Sequence, residues 1–344
     1  GQEQNFKTLV FLHGTSGFTD GCGPSSDSET LLLASAIAST GFVVVGPDYL
    51  GLKGIGDASE ELHPYLVGES VAMTSIDALR AVGKLGLFEE QGACASSEIL
   101  VLGGSQGGHA ALWFDRMLPY YAPEFELLGT VATVPPADLI GQSKRALTSP
   151  VQASANVIAF WTTASYWYGL GDKLAEVFVS PYDVDVSAAM RMSCDPSDNI
   201  DLDSFTDLGD VFTQDALSWK DDLAAQPTWG CIIEENGVTT TSLPRIDDSA
   251  SYADTYGIYW IMGEEDNLVN TPIERGSFET LCEQGMPMQY LECAGASHTK
   301  ATAWSLPEIL TFLTERGERQ PMPTVEEGLC QLTAPQTCSA TPVE

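Results

Sequence analysis

Basic residues are scarce in this chain. Its 344 residues contain 15 Lys and Arg against 48 Asp and Glu, giving a formal net charge of −33 at pH 7. Such a surface repels DNA, RNA and anionic membranes at close range, so nucleic-acid partners are disfavoured. The hydrophobic share of 44% is enough for one large domain, or for a core domain that carries an insertion.

Long apolar runs are also missing. No segment reaches about 18 uninterrupted apolar residues, the length that a membrane helix needs. The first residues, GQEQNFK, are polar, so no retained signal peptide is visible and the chain reads as a mature form. We therefore expect no integral membrane association. The sequence leaves the oligomeric state open, with a monomer as the favoured interpretation.

The eight cysteines form no CxxC pair and no zinc-type spacing with histidine. Disulfides in an oxidising compartment are the favoured interpretation, with free thiols in a cytosolic protein as the alternative. The protein is accordingly expected to be secreted, or periplasmic. Pairing of near neighbours predicts these bonds: Cys22 with Cys94, Cys194 with Cys231, Cys282 with Cys293, and Cys330 with Cys338.

Short apolar, β-branched runs alternate with helical patterns, which is typical of a mostly parallel sheet flanked by helices. The predicted strands are 7–13, 42–48, 98–104, 127–134, 256–263 and 288–295. The predicted helices are 28–39, 69–84, 106–118, 272–284 and 300–316. The fold class is therefore α/β.

The alternation stops in an aromatic and acidic stretch. This predicts a core in two parts, 1–135 and 256–317, interrupted by a largely helical cap or lid insertion at 136–255. The tail, 318–344, contains two cysteines and reads as a disulfide-stapled extension.

Four glycines surround one serine in GGSQGG, where Gly103 to Gly107 fit the pattern G-x-S-x-G between a predicted strand and a predicted helix. A sharp strand-to-helix turn strains the central residue, and side chains at the flanking positions would collide. The turn lifts the hydroxyl of Ser105 above the sheet edge, where the next helix points its N-terminal amides. Ser105 is the predicted nucleophile; a plain flexible turn or phosphate loop is the alternative.

A serine nucleophile needs a base and an orienting carboxylate, which follow it in this architecture in the order serine, acid, histidine. The chain has four histidines. His13 and His63 precede the serine, and His109 lies in the helix that follows it. His298, in a loop after the last predicted strand, remains as the base.

The acid should follow the strand that ends near Gly263. Asp266 is the predicted residue because it lies far enough along to turn back toward His298, 32 residues later. Glu264 or Glu265 remain alternatives. An ionised carboxylate there would fix the imidazole tautomer and stabilise the imidazolium.

Backbone amides would stabilise the developing oxyanion. One predicted donor is the amide of Gln106. The second is the amide of Thr15, in the loop after the first strand, with Ser16 as the alternative and His13 bracing the loop.

The aromatic stretch from 160 to 168 gives the predicted substrate-binding residues Trp161, Tyr166 and Trp167, as an apolar roof over the serine or as cap core. The acidic run Asp195, Asp198, Asp201 and Asp203 lacks the glycine and terminal glutamate of an EF-hand loop, so a solvated surface is favoured over a calcium site. No metal and no organic cofactor is expected.

These residues, with GPDYLGL at 46–52, HPYL at 63–66, SQGGHAAL at 105–112 and PPADL at 135–139, resemble the α/β-hydrolase fold. More narrowly, they resemble the secretory lipase family typified by Candida antarctica lipase A. The resemblance covers most of 7–316 and implies the triad Ser105, Asp266 and His298, an oxyanion-hole amide at Gln106 and a helical lid. It also implies that Asp48 and Tyr49 support the oxyanion loop.

The sequence departs from the family at two places. Gly104 stands where relatives often carry a larger side chain. About six residues precede the first predicted strand, so the first one or two strands of a full hydrolase sheet are expected to be missing.

The sequence therefore predicts a secreted serine esterase or lipase that acts through an acyl-enzyme on apolar acyl or aromatic esters of short to medium chain. The substrate is a small-molecule or lipid ester. A serine peptidase or amidase on the same fold is one alternative, and a non-catalytic binding protein is another.

Overall fold

A computed structural model describes residues 4–59, 61–84, 93–202, 204–245 and 254–342. Its centre is a sheet of six parallel strands in the order β2-β1-β3-β4-β5-β6. The strands are β1 Gln4–Leu12, β2 Phe42–Val45, β3 Ala93–Gly104, β4 Glu126–Thr133, β5 Gly257–Gly263 and β6 Met288–Cys293. The predicted parallel sheet is confirmed.

Helices cover both faces of the sheet because its strands are apolar on both sides. In β3, Ile99 and Val101 point into one core, and Leu100 and Leu102 point into the other. The first core is closed by α2 Gly68–Val82, α3 Gln106–Tyr121 and α9 Thr271–Glu283. The second is closed by α1 Ser28–Ala38, α10 His298–Trp304 and α11 Leu306–Gly317.

The chain between β4 and β5 is helical and builds a third core of its own. Its helices are α4 Leu139–Ala146, α5 Ser154–Trp167, α6 Tyr182–Met192, α7 Gln214–Ser218 and α8 Trp229–Asn236. We call α4 to α8 the cap helices. The third core also takes in Phe18, Leu62, Tyr65 and Leu66, so it joins the cap helices to loops at the carboxyl edge of the sheet.

The predicted helix 300–316 is two helices, α10 and α11, which meet at Ser305. Pro307 lies in the first turn of α11. Because proline has no amide hydrogen, it cannot donate the backbone hydrogen bond that would continue α10, and one continuous helix is not formed. After the break the two helices contact different strands: α10 packs against β5 and β6, and α11 packs against β3, β4 and β5.

The disulfides differ from the predicted pairing. The bonded pairs are Cys22–Cys194, Cys282–Cys330 and Cys293–Cys338, while Cys94 and Cys231 are free. Pairing Cys282 with Cys293 fails because β6 lies between them, and a six-residue strand extends over about 16 Å, beyond the reach of a disulfide. The chain after α11 passes along β6. Its Cys330 bonds Cys282 near the start of β6, and its Cys338 bonds Cys293 at the end of β6. Two of the three bonds therefore hold this C-terminal segment to the core.

Among the helices in the described ranges, none combines the length and the apolar character that a membrane span requires. In the same ranges, no group of three or more His, Cys, Asp or Glu side chains is arranged to hold a metal ion.

Candidate active site

The serine turn has the strained backbone that its glycines predict. Ser105, between β3 and α3, has a φ of 58° and a ψ of −121°. A Cβ atom at Gly103 would lie 1.9 Å from the carbonyl oxygen of Gly107, and one at Gly107 would lie 1.9 Å from the carbonyl oxygen of Leu12. Only glycine fits at both positions, because any side chain would push the backbones of β1, β3 and α3 apart.

Three side chains from distant parts of the sequence meet at the carboxyl edge of the sheet. The Nε2 atom of His298 lies 2.8 Å from Ser105 Oγ, and its Nδ1 atom donates to Asp266 Oδ2 at 2.7 Å. Asp266 is buried, and its other oxygen accepts from the amides of Leu268 and Val269 at 3.0 Å each. The carboxylate is thus held on one side and faces the imidazole with the other.

The alternative acids point elsewhere. Glu264 is exposed and accepts a hydrogen bond from the amide of Gly295 at 2.8 Å, and Glu265 is exposed as well. Of the three acids, the structure brings Asp266 to His298.

The loop that follows β1 lies against the serine. A Cβ atom built at Gly14 would be 3.8 Å from Ser105 Cβ, so the residue before Thr15 is in close contact with the serine. The Thr15 side chain is turned away and donates to the Tyr65 hydroxyl at 3.1 Å. Gln106 is the first residue of α3, so its amide has no acceptor within the helix. Gln106 directly follows Ser105, and Thr15 directly follows Gly14 in the loop packed against it; the assignment of both amides to the oxyanion hole stays a prediction.

A stack of rings supports this loop from behind. His13 stacks on Tyr49 at 4.1 Å between centroids, and the Tyr49 hydroxyl donates to the His13 carbonyl at 3.1 Å. Asp48 supports the neighbouring turn, where it accepts from the amides of Ser25 and Gly54 at 2.8 and 2.9 Å.

His63 is a supporting residue that the sequence argument only excluded as a base. Its Nδ1 donates to the Leu50 carbonyl at 2.8 Å, so its Nε2 accepts from the Gln106 side-chain amide at 2.6 Å. Burial lowers the pKa of His63 to about 3, which keeps the ring neutral and the tautomer fixed. The only sequence feature that pointed to His63 was the HPYL motif at 63–66. The position of His63 in the sequence does not reveal that its ring contacts Gln106.

Two cavities meet at Ser105. The smaller, of about 40 Å³, lies beneath α4 and α5, where Leu139 and Phe160 line it. The larger, of about 470 Å³, lies between α1, α10 and α11 and is lined by His298 as well. Most of the side chains that line both cavities are apolar.

The aromatic residues predicted to bind substrate line neither cavity. Trp161 is 1% exposed and packs among other aromatic rings of the cap, so it has no surface left for a ligand. Those rings belong to Phe212, Trp219 and Trp229. Tyr166 and Trp167 are 40% and 46% exposed at the end of α5. The structure corrects the prediction: Phe160, one residue before Trp161, lies on the helix face that reaches the serine.

The acidic run is used locally. Asp195 accepts from the amide of Ser197 at 3.0 Å, and Asp201 accepts from the amide of Ser204 at 2.9 Å. Asp198 is exposed, and Asp203 lies outside the described residues.

A buried carboxyl group connects the core to the start of the cap. Glu274, on α9, accepts from the side chain of Gln142 at 2.9 Å and from the amide of Ala137 at 3.1 Å. Gln142 lines the smaller cavity. Burial raises the pKa of Glu274 to about 7, so the folded chain holds a proton that the unfolded chain releases near its ordinary value of 4.5.

This raised pKa predicts a pH-dependent contribution to stability. Glu274 favours the fold fully below pH 4.5, and this contribution is lost as the pH rises through 7, because ionising a buried carboxyl group is unfavourable. Glu274→Gln removes the titrating group. We expect the free energy of unfolding of the variant, relative to wild type, to rise by up to about 3 kcal/mol between pH 4.5 and pH 8. Urea unfolding at a series of pH values measures it, and a flat difference would contradict the raised pKa.

Comparison with known proteins identifies the family of the chain. A model of the secretory lipase family matches residues 23–324. The chain belongs to the secretory lipase family. Lipases hydrolyse carboxylic esters, and a serine hydrogen-bonded to histidine in an apolar pocket suits that chemistry.

A curated relative matches part of the chain. Lipase 7 of Candida albicans is 33% identical over 107 residues, which are 30% of this chain and 22% of that protein. The aligned region thus spans about a fifth of the length of that curated relative.

Solved structures share the fold. Candida antarctica lipase A in its closed state has a TM-score of 0.72 at 14% identity, covering 98% of this chain and 75% of that chain. The rice cell wall degrading esterase LipA from Xanthomonas oryzae has a TM-score of 0.65 at 19% identity, covering 91% and 81%. The architecture of this secretory lipase family member is therefore the α/β-hydrolase fold.

Proposed function

We propose that this member of the secretory lipase family is a secreted serine carboxylester hydrolase that works through an acyl-enzyme. The observation that carries the proposal is the hydrogen-bonded chain Ser105–His298–Asp266, with distances of 2.8 and 2.7 Å. A nucleophile, a base and an orienting acid within hydrogen-bond distance are what activation of a serine requires.

In the proposed reaction, Ser105 Oγ attacks the ester carbonyl carbon while His298 Nε2 takes the hydroxyl proton. Asp266 keeps the Nδ1 proton in place and stabilises the imidazolium that forms. The tetrahedral intermediate then collapses, the carbon–oxygen bond to the alcohol breaks, and His298 returns its proton to the departing oxygen. Water repeats the sequence on the acyl-enzyme and releases the acid.

The amides of Gln106 and Thr15 are the proposed donors to the oxyanion. The dipole of the 16-residue helix α3 places its positive end at the same point. Each such donor contributes about 3 kcal/mol to the transition state in comparable sites. The neutral His63 and the His13–Tyr49 stack keep both donors in position without adding charge.

The proposed substrates are apolar acyl or aromatic esters of short to medium chain, presented as soluble molecules or micelles. Apolar walls at both cavities favour an apolar ester. The net charge of −33 opposes approach to anionic lipid films. Three disulfides support export, because such bonds persist in oxidising compartments.

Substrate class is tested by comparing kcat/KM for p-nitrophenyl esters with that for aminoacyl p-nitroanilides, together with labelling by a fluorophosphonate. We expect ester turnover, little or no anilide turnover, and one label per chain on Ser105. Faster anilide cleavage would instead assign the site to a peptidase or amidase. Absence of both turnover and label would favour a binding protein.

A further inference from the structure

The larger cavity at Ser105 lies on the face of the sheet closed by α1, α10 and α11, away from the cap helices. We call it the α1 cavity. Phe11, Ile37 and Ile309 line its interior, while Leu33 and Leu306 stand at its mouth. Its volume of about 470 Å³ falls in the range of small-molecule sites, about 300 to 1,000 Å³.

The two cavities differ in which part of the active site they touch. Ser105 lines both, whereas His298 lines the α1 cavity and, among the described residues, is not part of the smaller cavity wall. In ester cleavage the histidine must deliver a proton to the oxygen of the departing alcohol. The alcohol group of the ester therefore has to lie on the side of Ser105 where His298 is.

We propose that the α1 cavity is the alcohol subsite, and that it selects esters of extended or bulky apolar alcohols, with the acyl group directed under the cap helices. This assignment rests on the proposed serine mechanism. The assignment gives the larger cavity a role in substrate binding. The smaller cavity under the cap helices, of about 40 Å³, would then take the acyl group and suits a short one.

The lining of the α1 cavity fits an apolar alcohol better than a polar one. The hydroxyl of Thr302 is paired with the hydroxyl of Thr133 at 2.6 Å, so a polar alcohol would compete with an existing hydrogen bond. Leu33 and Leu306 at the mouth are 43% and 37% exposed. Exposed leucines beside an apolar cavity favour entry of an apolar group.

Two glycines form the passage between the cavity and the serine. A Cβ atom at Gly104 would lie 2.9 Å from Thr133 Oγ1 and 3.6 Å from Thr302 Oγ1, and one at Gly14 would lie 3.4 Å from the carbonyl oxygen of Gly104. Any larger residue there would narrow the passage. Gly104 therefore keeps this passage open, because even a Cβ atom at that position would meet Thr133 Oγ1.

The test fills the cavity and varies each half of the substrate separately. Ala303 lines the α1 cavity and is exposed at its mouth, so Ala303→Trp can project into it without repacking the core. Ala36→Trp is the matched control, because Ala36 is an exposed alanine of α1 outside the cavity lining. The substrates are ethyl acetate, octyl acetate and ethyl octanoate, and kcat/KM is measured because it reports acylation.

For Ala303→Trp we expect the ratio of kcat/KM for octyl acetate to kcat/KM for ethyl acetate to fall by at least about tenfold. About tenfold is the lower limit for loss of one apolar contact between enzyme and substrate. The ratio for ethyl octanoate to ethyl acetate should stay as in wild type, and Ala36→Trp should change neither ratio. A fall in the octanoate ratio alone would assign the cavity to the acyl group, and no change in either ratio would remove it from the substrate path. Both results overturn the proposal.

Failure of this subsite is distinguishable from failure of the serine mechanism. Ser105→Ala is measured on ethyl acetate in parallel. Loss of turnover in that variant, together with unchanged ratios in Ala303→Trp, would reject the alcohol subsite and leave the serine mechanism standing. Turnover retained by Ser105→Ala would reject the mechanism and the subsite with it.

Discussion

Ser105→Ala is expected to lower kcat for a short p-nitrophenyl ester about a million-fold, as loss of a nucleophilic serine does in comparable enzymes. The reason is the position of the Ser105 hydroxyl, which the strained turn holds 2.8 Å from an imidazole nitrogen. Within the part of the chain that the structure describes, no other hydroxyl has both features. Residual turnover would come from the oxyanion donors and the apolar pocket alone. Release of p-nitrophenol, followed with purified protein, measures the loss.

The fold must survive this substitution for the result to be informative. Removing one oxygen atom from Ser105 opens no core cavity, so the melting temperature should match that of wild type. Ser35→Ala is the matched control: Ser35 is an exposed serine of α1 whose hydroxyl donates to the Leu31 carbonyl. Wild-type turnover is expected for it. Comparable turnover in Ser105→Ala and Ser35→Ala would end the assignment of Ser105.

Asp266→Asn is expected to lower kcat about ten-thousand-fold with the fold intact. The oxygen that accepts from the Leu268 and Val269 amides must remain an oxygen in the asparagine. Its NH2 group then faces His298 Nδ1, where the carboxylate oxygen accepted at 2.7 Å. The imidazole is forced to accept at Nδ1 and to carry its proton on Nε2, so it cannot take the proton of Ser105.

The measurement for Asp266→Asn is kcat against pH. High pH should restore part of the rate, because hydroxide or deprotonated serine then replaces the missing base. Glu264→Gln, which alters an exposed neighbour outside the hydrogen-bonded chain, is the control and should keep wild-type rates. Equal losses in the two variants would show that Asp266 acts only through the stability of the loop.

The serine turn and the sheet could be predicted from the sequence because their signals are local. Glycines at 103 and 107 and the apolar strand before them specify a sharp turn by sterics alone, and the atoms they would displace are their immediate neighbours in space. His298 and Asp266 followed from chain order and from the small number of histidines. Asp266 follows β5 and His298 begins α10 just after β6, so both lie at the carboxyl edge of parallel strands, which brings distant parts of the sequence together.

Features that depend on packing were not predictable in this way. The disulfide partners are set by the path of the C-terminal segment along β6, which no spacing of cysteines reveals. Trp161 and Phe160 are adjacent in an aromatic run, and only the rotation of α5 decides which one faces Ser105. The α1 cavity is lined by residues on both sides of the break at Ser305, whereas the hydrophobic periodicity predicts one continuous helix there.

The central claim is that Ser105 becomes covalently acylated during turnover, and rapid-quench mass spectrometry tests it most directly. The protein is mixed with p-nitrophenyl acetate, quenched in acid within milliseconds, digested and mapped. The account predicts a burst of p-nitrophenol and one acetyl group on the peptide containing Ser105, absent in Ser105→Ala. Steady turnover with an acetyl group on another residue, and none on that peptide, would contradict it.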